Sequence, residues 1–261
     1  MEKIISRDGT PIAYRRSGSG PPLVLVHGTL GTYGRWAPIL PALEEQFTVY
    51  AIERRGRGES GDSPHYTIER EYEDVAAVVD AIGDAVNLLG HSFGALCALE
   101  AALRTPHVRS LIAYEPPAGL MPLDPPDFVD RLQSLLDAGD REGTVITFLR
   151  EGVRMPPHEL EYYKTLPAFP ARVAAAHTLP REFRAAQEYH LEPERFRDLD
   201  VPTLLLIGGD SPSFFRQNAE TWHTVLPNSR IVALPGQQHV AMDTAPELFV
   251  GEVKAFLSAL G

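Results

Sequence analysis

The segment Gly90-His91-Ser92-Phe93-Gly94 places one hydroxyl between two glycines. A serine attacks a carbonyl well only when its backbone holds Oγ clear of its neighbours. A sharp strand-to-helix turn does this, and the positions flanking the serine then have room only for glycine. A Gly-x-Ser-x-Gly match arises by accident in roughly one chain of this length in ten, with Gly and Ser near 7% each, so context decides. The aliphatic run Ala85 to Leu89 leads directly into the motif, and the helix-like stretch Ala95 to Leu103 leaves it. Ser92 would then stand at a helix N-terminus, whose partial positive charge favours a developing anion.

A hydroxyl also needs a base to take its proton and an acid to orient that base. His239 follows the apolar run Arg230 to Leu234 and the turn Pro235-Gly236, which places it in a loop beyond a strand end. Asp210 follows Leu204 to Gly209, also at a strand's carboxyl end, and is read as the acid; Glu115, closing the run Leu111 to Tyr114, is the rival. Two backbone N–H groups must face the oxyanion. Phe93 supplies one, and the loop His27-Gly28-Thr29-Leu30-Gly31 supplies the other, with Thr29 the first choice and Leu30 the second.

These loops need a scaffold that brings them to one edge. Pro22 to Val26, Thr48 to Ile52, Ala85 to Leu89, Leu111 to Tyr114 and Thr203 to Ile207 are short aliphatic runs bounded by Gly, Pro or charge, the pattern of buried parallel strands. Between them, Arg70 to Ile82 repeats Val75, Val78, Val79 and Ile82 at helical spacing. Strand and helix in alternation predict a doubly wound sheet. A final helix is predicted to open on Thr244 and Glu247 as a capping box, with Pro246 in its first turn and Leu248, Phe249, Val253, Phe256 and Leu257 facing inward.

The rhythm breaks between residues 119 and 200. This stretch has amphipathic pieces such as Phe128 to Leu136 and Val145 to Val153 but no convincing strand, and it reads as a helical insertion. Phe128, Phe148, Tyr162, Tyr163, Phe169, Phe183 and Tyr189 glue it to the sheet or line an apolar pocket beneath it.

Composition narrows the partners. With 44% hydrophobic and 23% charged residues the chain has material for a core and no disorder signature. A net charge of −11 argues against nucleic acid or an anionic membrane. Cys97 stands alone, so no internal disulfide forms, and it reads as a small core residue. No apolar leader opens the chain, no run approaches the roughly 20 residues of a membrane span, and a cytoplasmic location is expected. No His or Cys pair has helical ligand spacing, which argues against a metal. Gly56-Arg57-Gly58-Glu59-Ser60-Gly61 formally matches a dinucleotide fingerprint, but Asp62-Ser63-Pro64 opens no helix to receive a pyrophosphate.

Together these residues resemble the α/β-hydrolase superfamily with a helical cap, over essentially the whole chain. The likeness rests on His27-Gly28, the run Arg54 to Ser60, the Gly90 to Gly94 elbow, Glu115-Pro116-Pro117, Gly208-Gly209-Asp210 and Gly236 to His239. Glu53 departs from it, since relatives usually carry aspartate there. The order serine, acid, histidine is the one such enzymes use. The resemblance implies a mostly parallel eight-stranded sheet flanked by helices, with residues 1–118 and 201–261 as the core and 119–200 as the cap. In some relatives the acid follows the strand that here ends at Glu115. The implied activity is a serine hydrolase that cleaves a small to medium, largely apolar carboxylic ester through an acyl-enzyme, with no cofactor or metal. The same triad also serves carbon–carbon bond hydrolases and cofactor-free haloperoxidases or perhydrolases, and a catalytically silent small-molecule binder is the non-enzyme alternative. The expected partner is a small-molecule substrate, and the chain a monomer or homodimer.

Overall fold

The aliphatic runs read as strands all fall in one eight-stranded sheet. The computed structural model describes residues 1–83, 85–119, 126–152, 155 and 157–261, with the backbone alone at 158, 159 and 162. The strands are β1 (Glu2–Ile5), β2 (Pro11–Gly18), β3 (Pro22–Val26), β4 (Thr48–Ile52), β5 (Val86–His91), β6 (Val108–Tyr114), β7 (Thr203–Gly208) and β8 (Ser229–Leu234). Their order in the sheet is β1-β2-β4-β3-β5-β6-β7-β8. β2 runs antiparallel to both β1 and β4, and all the remaining pairs are parallel.

Strand geometry sends alternate side chains to opposite faces. Val24 and Val26 of β3 pack with Val75, Val78 and Val79 of helix Ile68–Ile82 and with helix Phe93–Ala101. Leu23 and Leu25 point the other way, to Leu40 and Leu43 and to Phe249, Val253 and Phe256 of helix Pro246–Ser258. Each such buried aliphatic or aromatic side chain contributes about 1.5–3 kcal/mol. Helix Phe93–Ala101 is buried at every position, which rigidly fixes the turn that precedes it.

One pair of strands has no counterpart in the sequence reading, and two expectations for the final helix need correction. β1 and β2 form a hairpin that periodicity does not announce, because β1 is mostly exposed and β2 ends in exposed arginines. The final helix begins at Pro246 with Ala245 before it and no side-chain cap. Thr244 instead closes the short helix Ala241–Thr244, and its hydroxyl donates to Gln237. Leu248 is 37% exposed, whereas Phe249, Val253, Phe256 and Leu257 are buried as expected.

Between β6 and β7 the described residues contain helices and no strand, from Phe128–Asp137 to Pro193–Phe196. Val153 and the Tyr162 side chain lie outside the described residues. Phe128, Leu132, Val145, Leu149, Phe169 and Phe183 form a separate apolar cluster, and Leu30 of the loop after β3 joins it. Buried charges fasten this helical segment to the sheet. Glu182 accepts from Arg54 (3.0 Å) and from Arg57, and Arg54 also pairs with Glu71 at 2.8 Å. Gly61 N–H donates to Pro11 O, and the next helix in the chain opens only at Ile68, so the glycine run Gly56 to Gly61 does not lead directly into a helix N-terminus.

Candidate active site

Ser92 sits between the end of β5 and helix Phe93–Ala101 with φ 54° and ψ −126°, a conformation a non-glycine residue adopts only when its surroundings impose it. The flanking glycines show why. A Cβ on Gly90 would lie 2.5 Å from Ala95 Cα, and one on Gly94 would strike the carbonyls of Val26 and His27. The Ser92 N–H donates to Tyr114 O at 2.8 Å, tying the turn to β6.

The loop after β3 passes directly over this turn. A Cβ on Gly28 would lie 3.0 Å from both Ser92 Cβ and His91 O. His27, fully buried, shapes the loop from beneath: Nδ1–H donates to Gly28 O (2.9 Å) and Nε2 accepts the Arg54 N–H (3.2 Å). Burial, together with Arg57 and Arg54, pushes its pKa well below the ordinary histidine value, so the ring is neutral. Leu30 is buried with φ 55°. Thr29 is half-buried, and its N–H has no hydrogen-bond acceptor among the described residues. The Phe93 N–H, first in its helix, has no intrahelical acceptor either. Thr29, next to Gly28, and Phe93, next to Ser92, thus each carry a backbone amide with no acceptor among the described residues.

His239 lies in the loop after β8, with 32% of its side chain exposed, and Nδ1 is 2.5 Å from Glu115 Oε2. The other carboxylate oxygen of Glu115 accepts the Gly208 N–H at 2.8 Å. Since a carboxylate can only accept, Nδ1 carries the proton and Nε2 is left as the basic nitrogen. The structure brings Glu115, the rival carboxylate, against His239 and leaves Asp210 apart from it. Asp210 is exposed, its backbone N–H is bound to Gln237 O, and its carboxylate makes no hydrogen bond or ion pair among the described residues. Glu115, fully buried at φ 50° just past β6, turns back toward His239. Both carboxylates sit at strand ends, and Glu115, in its positive-φ turn, is the one in contact with His239.

Three further side chains hold His239, and motif reading passes over them. His91 Nε2–H donates to His239 O at 2.8 Å, and the two rings lie 4.5 Å apart. Burial, then the neighbouring His239, pushes the His91 pKa well below its ordinary value. Tyr114 donates to Gln238 O and accepts the Ala241 N–H at 3.2 Å, fixing the loop on both sides of His239. Phe215 stacks on the His239 ring at 4.7 Å. His91 and Tyr114 each directly precede a candidate residue, Ser92 and Glu115, which is the one sequence signal that could have marked them. No direct hydrogen bond joins Ser92 Oγ to His239 among the described residues, the loose arrangement such pairs often show before substrate binds.

The family model for the alpha/beta hydrolase family matches residues 23–252. The chain belongs to that family. Among curated proteins, it is 26% identical to 2-(acetamidomethylene)succinate hydrolase of Mesorhizobium japonicum, over 94% of this chain and 91% of that protein. Among solved structures, an alpha/beta hydrolase from Sphaerobacter thermophilus aligns over 98% of this chain and 100% of its own at TM-score 0.85 and 40% identity. An esterase from Rhodococcus sp. ECU1013 aligns over 100% of this chain and 99% of its own at TM-score 0.70 and 26% identity.

Proposed function

We propose that this hydrolase is a serine esterase acting on a small to medium, largely apolar carboxylic ester through an acyl-enzyme, with the helical segment 119–200 serving as a cap over the site. The observation that carries the reading is the Glu115–His239 hydrogen bond beside the strained Ser92 turn.

Ser92 Oγ attacks the ester carbonyl while His239 Nε2 takes its proton. The resulting imidazolium is stabilised by Glu115, and the oxyanion by the N–H groups of Thr29 and Phe93. His239 then returns the proton to the leaving alcohol as the C–O bond breaks, and a water repeats the sequence to release the acid. The likeness to the Rhodococcus esterase supports ester chemistry.

The test is a substrate panel. Ser92→Ala should abolish turnover of p-nitrophenyl acyl esters with an unchanged circular dichroism spectrum. Activity confined to 1,3-diketone-like substrates, or to peroxide-dependent halogenation, would move the chemistry to the alternatives that share this triad.

A further inference from the structure

Among the described residues, the guanidinium of Arg172 makes no hydrogen bond and no ion pair, although its Nη1 is fully buried. It rests on an aromatic face: Cζ lies 4.0 Å over the ring of Tyr163. Its neighbours in the same helical segment are satisfied. Arg141 donates to Ala174 O, Arg181 pairs with Asp62, and Arg184 reaches Gln133 and Asp130. A half-buried cation whose inner nitrogen has no partner is unfavourable, and burial pushes the Arg172 pKa below its ordinary value.

Its ring partner Tyr163 ties this guanidinium to the apolar side of the helical segment. Tyr163 packs edge-on against Phe169 at 6.4 Å. Both belong to the apolar cluster that takes in Leu30, the residue after the candidate oxyanion amide Thr29. On the sheet side, Arg172 and Tyr163 both lie within electrostatic reach of Arg35 and Asp243. Arg35 and Asp243 are paired with each other at 2.6 Å, and Asp243 stands four residues past His239. Asp243 is therefore already engaged, and Arg172 is left without a carboxylate partner among the described residues.

We infer that Arg172 receives a free carboxylate on the substrate, so that the preferred ester carries a second, ionised acid group remote from the scissile bond. A planar guanidinium presents two parallel N–H donors, the match for a carboxylate. The aromatic face of Tyr163 fixes the plane of that fork, and the apolar cluster around Leu30 and Phe169 accommodates the carbon chain between the acid and the carbonyl at Ser92. This inference rests on the serine-esterase reading and specifies its substrate class.

The test compares acid and neutral esters of equal size. Mono-p-nitrophenyl glutarate is set against p-nitrophenyl valerate for an acid on the acyl side, and 4-acetoxybenzoate against phenyl acetate for one on the leaving group. The wild type should prefer the acid ester of one pair, and Arg172→Met should lower that preference by about 30-fold, the scale of a hydrogen-bonded charge. Arg172→Lys should recover part of it, chiefly through KM. An unchanged preference in both pairs, or equal loss on acid and neutral esters, would overturn the inference. If the wild type cleaves no ester, the esterase reading fails by itself. Calorimetry with monoethyl succinate then still decides for Arg172: binding weakened at least tenfold in Arg172→Met supports the carboxylate site, and equal or absent binding in both proteins refutes it.

Discussion

Glu115 and His239 stand 124 residues apart in the chain and 2.5 Å apart in space, while the second oxygen of Glu115 is held by the Gly208 N–H. That double anchoring leaves the carboxylate one orientation and leaves His239 one tautomer. Asp210, two residues beyond Gly208, contributes no side-chain contact to the histidine.

Removing the charge from Glu115 should therefore be far more damaging than removing it from Asp210. Glu115→Gln is expected to lower kcat about 10³- to 10⁴-fold, the scale of losing the acid that orients a catalytic histidine. Asp210→Asn is expected to change it by less than about twofold, as for surface substitutions generally. Steady-state rates on one p-nitrophenyl ester, measured for both variants, check the pair. A larger loss at Asp210 would return the acid role to that residue.

The turn at Ser92 makes a second prediction, this time for stability. At Gly90 and Gly94 an added Cβ meets backbone rather than a movable side chain. Gly90→Ala and Gly94→Ala should each destabilise the fold by about 3 kcal/mol or more, the upper end of overpacking effects. Urea denaturation measures this, and unperturbed midpoints would mean that β5 and its helix can separate freely.

How much of this was legible in sequence follows from how local each feature is. The Ser92 turn was readable because strand, glycine, serine, glycine and helix are contiguous, and steric demand alone ties those residue types to that geometry. Five of the eight strands, β3 to β7, were readable for a similar reason: largely buried on both faces, they carry short aliphatic runs. The β1–β2 hairpin was not, because its exposed positions carry no periodic signal. The acid was narrowed to two carboxylates, since Glu115 and Asp210 both follow buried strands. What sets their positions apart is the positive φ at Glu115 and the register of β6 beside β7, neither of which is encoded in a short motif. Arg172 carried no signal at all, because an arginine in an amphipathic segment is ordinarily solvated. Only the absence of a partner distinguishes it.

Glu53 predicts an unusual pH dependence. Burial pushes its carboxyl up to about 7 against the opposing pull of the Tyr33 N–H and Arg57, and Oε2 has no partner among the described residues. Between about pH 4.5 and 7 the folded chain keeps a proton that the unfolded chain has lost, so this group subtracts stability as pH rises through that interval. Glu53→Gln should match the wild type near pH 4 and exceed it at pH 8 by up to about 3 kcal/mol. Chemical denaturation across pH 4 to 8 reads the difference, and parallel profiles would refute it.

Glu182 behaves in the opposite sense. Burial alone would raise its carboxyl, but Arg54 and Arg57 outweigh that and hold it below the ordinary range. Its contribution is present above the unfolded carboxylate range and is lost as pH falls through the depressed value. Glu182→Gln deprives Arg57 of the only carboxylate it pairs with among the described residues and should cost about 3–5 kcal/mol at pH 7. The penalty should shrink on acidification, and a penalty independent of pH would contradict the charge assignment.

The central claim is that Ser92 is the nucleophile. Reaction with a fluorophosphonate followed by peptide mass mapping tests it most directly. The account predicts one adduct per chain, located on Ser92, absent in Ser92→Ala and formed far more slowly in Glu115→Gln. An adduct on another residue, or no adduct from a protein that still cleaves esters, would contradict it.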